Sequence, residues 1–139
     1  MRNEMHLEFE SKSQNESFAR IVAAAFVTQL NPTLEEIDDI KTVVSEAVTN
    51  AIIHGYPNQE GNIFMECIVE DKTVHITIMD HGVGMKDVQK ARQAMYTSKP
   101  EEGRSGMGFT FMEALMDFVQ VYSEPGIGTT IKMMKHIGN

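Results

Sequence analysis

Glu46 and Asn50 stand four residues apart in the stretch Ser45-Glu46-Ala47-Val48-Thr49-Asn50-Ala51-Ile52-Ile53-His54-Gly55. On a helix this spacing sets a carboxylate and a carboxamide on one face, one turn above the other. The carboxylate can accept a proton there, and the carboxamide oxygen can ligate a hard cation such as Mg2+. The pair also suits the edge of an ordinary amphipathic helix, because Ile37, Ile40, Val44, Ala47, Val48 and Ala51 form an adjoining apolar stripe.

Glycine-bearing segments follow downstream. In Asp80-His81-Gly82-Val83-Gly84 an aspartate at a strand end can accept a hydrogen bond from an exocyclic amine, while Gly82 and Gly84 admit a flat ligand close to the backbone. The same pattern is a common turn. Arg104-Ser105-Gly106-Met107-Gly108 precedes a helical pattern, so its backbone N–H groups would lie at the positive end of a macrodipole, a place for phosphate. Arg104 adds a planar donor fork; a flexible loop with a cap is the alternative. The spacing is that of neither a P-loop nor a Rossmann turn. Finally, Gly128-Thr129-Thr130 opens a late strand, where hydroxyls can bond a base, although threonine is also simply a good strand residue.

The elements that must position these residues are readable in order. Residues 5–11 alternate apolar and polar as a half-buried strand does. Ser13 and Glu16 have capping-box spacing, and Phe18, Ile21, Val22, Ala25, Phe26 and Leu30 recur at helical intervals, which predicts a helix over 14–30. Asn31-Pro32 breaks it, and Thr33 with Glu36 offers a second capping box for a helix from about 34 to His54. Gly55 is expected to end that helix in the left-handed conformation, with His54 suiting the negative end of the dipole. Runs 63–69 and 74–79 predict an antiparallel hairpin, and 118–123 with 127–133 a second. Between them, 81–104 reads as a long functional loop with a short helix near 87–94, and 108–116 resumes helical spacing. The expectation is one domain over 1–139, a mixed sheet with helices on one face.

Composition narrows the function classes. A formal net charge of -8 argues against a nucleic-acid surface, which needs basic groups to replace counterions, and suits a basic protein partner. With no apolar run of membrane-span length and no apolar leader, the expected location is cytoplasmic, off the membrane. The single Cys67 lies in an apolar run and reads as a small buried hydrophobe.

Taken together, Glu-x-x-x-Asn on a helix, Asp-x-Gly-x-Gly after a strand, Gly-x-Gly before a helix and Gly-Thr-Thr in a late strand resemble the four boxes of the GHKL ATPase superfamily. Met5-His-Leu-Glu-Phe, Asn15-Glu-Ser-Phe-Ala-Arg20, Ile40 to Tyr56 and Arg104-Ser-Gly-Met-Gly-Phe-Thr110 are similar to the anti-sigma F factors of spore-forming bacteria. The fold this resemblance implies is α+β, the Bergerat ATP-binding α/β sandwich with a mixed, mostly antiparallel sheet. The function it implies is that of an ATP-dependent serine protein kinase which also holds sporulation sigma factor F inactive. Its phosphoacceptor would be a serine of the anti-anti-sigma factor, and it would act as a homodimer with ATP and Mg2+.

By the same resemblance, Glu46 would be the general base and Asn50 the Mg2+ ligand. Asp80 would hold the adenine amine, Gly82 and Gly84 would make room for the ring, and Thr130 would support it. Lys99, Arg104, Ser105, Gly106, Met107 and Gly108 would belong to a lid over the phosphates, with Glu16 and Arg20 on the partner-docking side. Two alternatives stay open: the equivalent kinase of the general stress response, and a nucleotide-gated sequestering module with little catalysis. Glu46 favours catalysis over the second, because binding alone needs no base.

Overall fold

The computed structural model describes residues 1–88 and 108–138. The expected lid residues Lys99, Arg104, Ser105, Gly106 and Met107, and most of the expected helix near 87–94, lie outside them.

The sheet has five strands: β1 (Arg2–Glu10), β2 (Asn62–Glu70), β3 (Thr73–Asp80), β4 (Phe118–Glu124) and β5 (Gly128–His136), in the order β1-β2-β3-β5-β4. Every pairing among them is antiparallel, the fully antiparallel form of the expected sheet. Alternation decides its faces. Ile63, Met65, Cys67 and Val69 of β2 and Val74, Ile76 and Ile78 of β3 are buried under the helices, while Phe64, Glu66, Ile68, His75, Thr77 and Met79 between them are half-exposed on the other face. Burial in this core pushes the Cys67 thiol up to about 12, so it stays a neutral hydrophobe.

Among the described residues the α-helices are α1 (Gln14–Val27), continued by a tighter turn over Thr28–Leu30, then α2 (Leu34–Asn50) and α3 (Gly108–Leu115). Asn31 adopts φ 52, the left-handed geometry that closes the first helical run ahead of Pro32. The second capping box forms as expected: the Glu36 N–H donates to Thr33 Oγ1 at 3.1 Å, and the Thr33 N–H donates to Glu36 Oε1 at 2.8 Å. The first does not. Ser13 is already helical (φ -58, ψ -30) with no side-chain cap bond, so its hydroxyl is not aimed at the free N–H groups. The Glu16 carboxylate turns instead to Arg20 Nη1 at 3.1 Å and to the Ser45 hydroxyl of α2 at 2.8 Å.

α1 is also rotated from what its large residues suggest. Its buried side is Ala19, Ala23, Ala24 and Val27, whereas Phe18 is 49% and Ile21 58% exposed. A ridge of small side chains lets α1 lie close against α2, which turns the phenylalanine and isoleucine to solvent. α2 buries Ile40, Val43, Val44, Ala47, Val48 and Thr49. Below α3, Lys135 of β5 donates to the Leu115 carbonyl at 2.8 Å and sits 3.5 Å from Asp39, tying the end of α3 to both the sheet and α2.

Candidate functional site

Glu46 and Asn50 both lie within the regular part of α2, so their four-residue spacing is realised as a shared face, and both are half-buried at the border of the apolar stripe. Gly108, the first residue of α3, lies against the carboxylate: a Cβ built on it would meet Glu46 Oε2 at 3.1 Å. The positive end of α3's dipole therefore faces Glu46. Gly108 was expected in the lid, and the structure gives it this second neighbour.

Past Asn50 the helix does not end on a left-handed glycine. Ala51–Gly55 widens into a π turn, closed by the Tyr56 N–H donating to the Ala51 carbonyl at 3.0 Å. Gly55 is absent from the positive-φ residues; it is needed for a different reason, because a Cβ there would stand 2.9 Å from the Asp80 carboxyl atoms. The wider turn swings the chain under the end of β3 and presses Gly55 on Asp80.

Asp80 is 4% exposed. Burial raises its carboxyl above the ordinary aspartate range, opposed by the backbone N–H groups of Gly82 and Thr129 and by His81. The Gly82 N–H donates to Asp80 Oδ1 at 2.8 Å, a tight aspartate turn that leaves other lone pairs for a ligand donor.

The two motif glycines serve the chain itself. At Gly82 a Cβ would lie 1.9 Å from the Gly55 carbonyl oxygen, and at Gly84 (φ 74) 2.1 Å from the Glu124 carbonyl oxygen. At both positions backbone packs on backbone, so glycine is required by the fold itself. The Val83 N–H reaches the Gly55 carbonyl at 2.8 Å, the Val83 carbonyl accepts from Gly126 at 2.8 Å, and the Met85 N–H donates to the Ser123 hydroxyl at 2.7 Å. The loop is thus pinned between the end of α2 and the β4–β5 turn.

Thr130 does not stand opposite Asp80. The residue paired with Asp80 across the strands is Thr129, which is buried, with its hydroxyl 2.8 Å from Ser123 Oγ. Thr130 is paired with Met79 and Tyr122, so alternation puts its side chain on the face away from the helices and from Asp80. Two adjacent threonines carry no composition signal to separate them; strand register does. The sequence marks Gly55 as a helix end, whereas the hydrogen-bond partners of Tyr56 and Ser123 are set by residues distant in the chain. A glycine following an apolar helix was the one available hint. Glu16 and Arg20 sit apart from Asp80 on α1, paired with each other and joined to Ser45, the neighbour of Glu46.

The chain matches the model of the histidine kinase-like ATPase domain over residues 9–135. Among solved structures, it is similar to the RsbU and RsbW domains of a Mycobacterium tuberculosis protein, with a TM-score of 0.71 at 19% identity, over 99% of this chain and 33% of that one. That likeness concerns the fold, and this chain spans a third of that protein's length. Sequence relatives are nearer. The chain is 60% identical over 138 residues to the anti-sigma F factor of Anoxybacillus flavithermus and 57% identical to that of Bacillus subtilis, in each case over 99% of this chain and 94% of the relative. The chain therefore belongs to the histidine kinase-like ATPase domain family and, within it, to the anti-sigma F factors.

Proposed function

We propose that this chain binds and inhibits sporulation sigma factor F and, as an ATP-dependent serine kinase, phosphorylates and inactivates the anti-anti-sigma factor that competes for it. The observation that carries this reading is the joint position of three groups. Glu46 and Asn50 stand one helical turn apart on α2, and the turn that continues α2 brings Gly55 against the carboxyl of the buried Asp80. The relatives' name, anti-sigma F factor, supports the partner assignment.

The donor set fits ATP and Mg2+. Asp80 has acceptor capacity beyond its bond from Gly82, suited to an exocyclic amine. The Asn50 carboxamide oxygen suits a hard cation, which supplies compensation for the charge of the phosphates when bound. Glu46 takes the proton of the acceptor serine as its Oγ bonds to the γ-phosphorus and the bond to the ADP oxygen breaks. The homodimer and the docking role of Arg20 belong to the same reading, as does a cytoplasmic site of action; among the described residues no helix is long and apolar enough to cross a membrane.

The test is transfer of labelled γ-phosphate from Mg-ATP to an anti-anti-sigma protein, beside the same acceptor with its serine changed to alanine. Serine-dependent label is the expected result. ATP binding without label would leave a nucleotide-gated sequestering module. Asn50→Ala is expected to abolish Mg-dependent ATP binding in a calorimeter, where unchanged binding would remove the metal assignment. Glu46→Gln is expected to keep ATP and sigma binding and to lower transfer by at least about a hundredfold.

A further inference from the structure

Tyr56 follows the π turn and is 7% exposed, yet no part of the reading above uses it. Its hydroxyl donates to the Asn62 carbonyl at 2.7 Å and accepts from the His81 N–H at 2.7 Å. The first partner opens β2; the second is the peptide immediately after Asp80. The ring itself is clamped. Gly61 lies so close that a Cβ on it would stand 2.3 Å from the ring, and Gly61 is anchored to Ser11 by a 2.8 Å bond to its carbonyl and a 2.9 Å bond from its N–H. One buried side chain therefore spans from the element carrying Asn50 to the backbone that aims Asp80.

We propose that Tyr56 is a positioning residue for purine recognition, fixing the peptide after Asp80 so that its carboxylate keeps the direction needed to accept the exocyclic amine. This rests on the reading of Asp80 as the adenine acceptor. Strand register does not depend on the hydroxyl, because the Ile63–Asp80 pair and the ladder behind it hold β2 to β3. What the hydroxyl adds is a fixed rotation of the Asp80–His81 peptide, and through it of the Asp80–Gly82 turn. Burial raises the phenol above its ordinary range, so the group stays a neutral donor throughout the working pH.

The experiment measures binding of Mg-ATP and of purine riboside triphosphate, which lacks the amine, to the full chain and to Tyr56→Phe. The wild type is expected to prefer ATP. Tyr56→Phe keeps the ring and its packing, and should cut that preference by about tenfold while leaving affinity for the analogue unchanged. Equal weakening of both ligands, or an undiminished preference, would overturn the proposal while leaving the Asp80 reading intact. A wild type that does not distinguish the two ligands would remove the Asp80 reading, and Tyr56's role with it. A second measurement needs no variant. The His81 amide should exchange slowly with solvent, like those of β3, and fast exchange confined to His81 would equally overturn the proposal.

Discussion

Two surfaces of this molecule are built on opposite terms. Around Asp80 the chain packs backbone on backbone: Gly82 lies on the Gly55 carbonyl, Gly84 on that of Glu124 and Gly128 on that of Asp80 itself. On α1, Phe18 and Ile21 stand in solvent on the side away from α2, and on the flank beside α2 Arg20 bonds Glu16 one turn away. The first surface has no spare volume, so its residue types are dictated by the fold. The second costs the fold little whatever side chains it carries. On the reading proposed above, the first is a nucleotide floor held in one shape by the fold, and the second a docking face that can be rewritten for a new partner without disturbing the core.

The sharpest way to break this contrast is Gly82→Ala. A single methyl would have to occupy the position of a carbonyl oxygen 1.9 Å away, in backbone that hydrogen bonds hold on both sides. We expect a loss of about 3 kcal/mol in urea unfolding, the upper part of the usual range for overpacking. A change within about 0.5 kcal/mol would show that the floor yields and that the comparison is wrong.

The pH dependence of the same floor is a smaller effect. Because burial raises the Asp80 carboxyl, the folded protein holds this proton more tightly than the unfolded chain does. The penalty for the buried charge is therefore full above the raised folded value and is relieved as pH falls from there toward the ordinary 3.8. Asp80→Asn carries no such charge. The stability of the wild type relative to this variant should rise as pH is lowered through that window, read from urea midpoints at successive pH values. A flat or falling difference would mean that the backbone N–H groups of Gly82 and Thr129 outweigh desolvation.

Legibility in the sequence follows the same division. The strands, α2 and its capping box were readable because period and cap chemistry are local, and Thr33 with Glu36 needs nothing beyond four residues of chain. The placing of Glu46 and Asn50 on one helix face and of Asp80 at a strand end was readable because it depends on spacing along one element. What stayed hidden depends on partners distant in sequence. The need for glycine at 55 is set by Asp80, the hydrogen bonds of Tyr56 by His81 and Asn62, and the placing of Thr129 rather than Thr130 opposite Asp80 by the register with β3. The Ser13 cap failed for a related reason, since Glu16 is drawn to Ser45 across the α1–α2 contact rather than back to its own helix start.

Arg20 supplies the smallest effect on the fold and the closest test of the docking half of the comparison. Its guanidinium is 39% exposed and bonds Glu16 at the four-residue helical spacing, a pair worth a few tenths of a kcal/mol. Glu16 keeps its bond from Ser45 when the arginine is removed, so no buried carboxylate is orphaned. Arg20→Ala should therefore shift the urea midpoint by less than the equivalent of about 0.5 kcal/mol. Replacing Phe18 by serine should be equally mild, because its ring is 49% exposed already. If docking takes in α1 from the Arg20 flank beside α2 round to Phe18, both variants should bind ATP normally and lose affinity for sigma factor or acceptor by tenfold or more, as central arginine and aromatic contacts of interfaces do. Normal partner binding with normal stability would move docking off this face. A large loss of stability would instead make α1's outer side part of the fold, and the division between the two surfaces would fail.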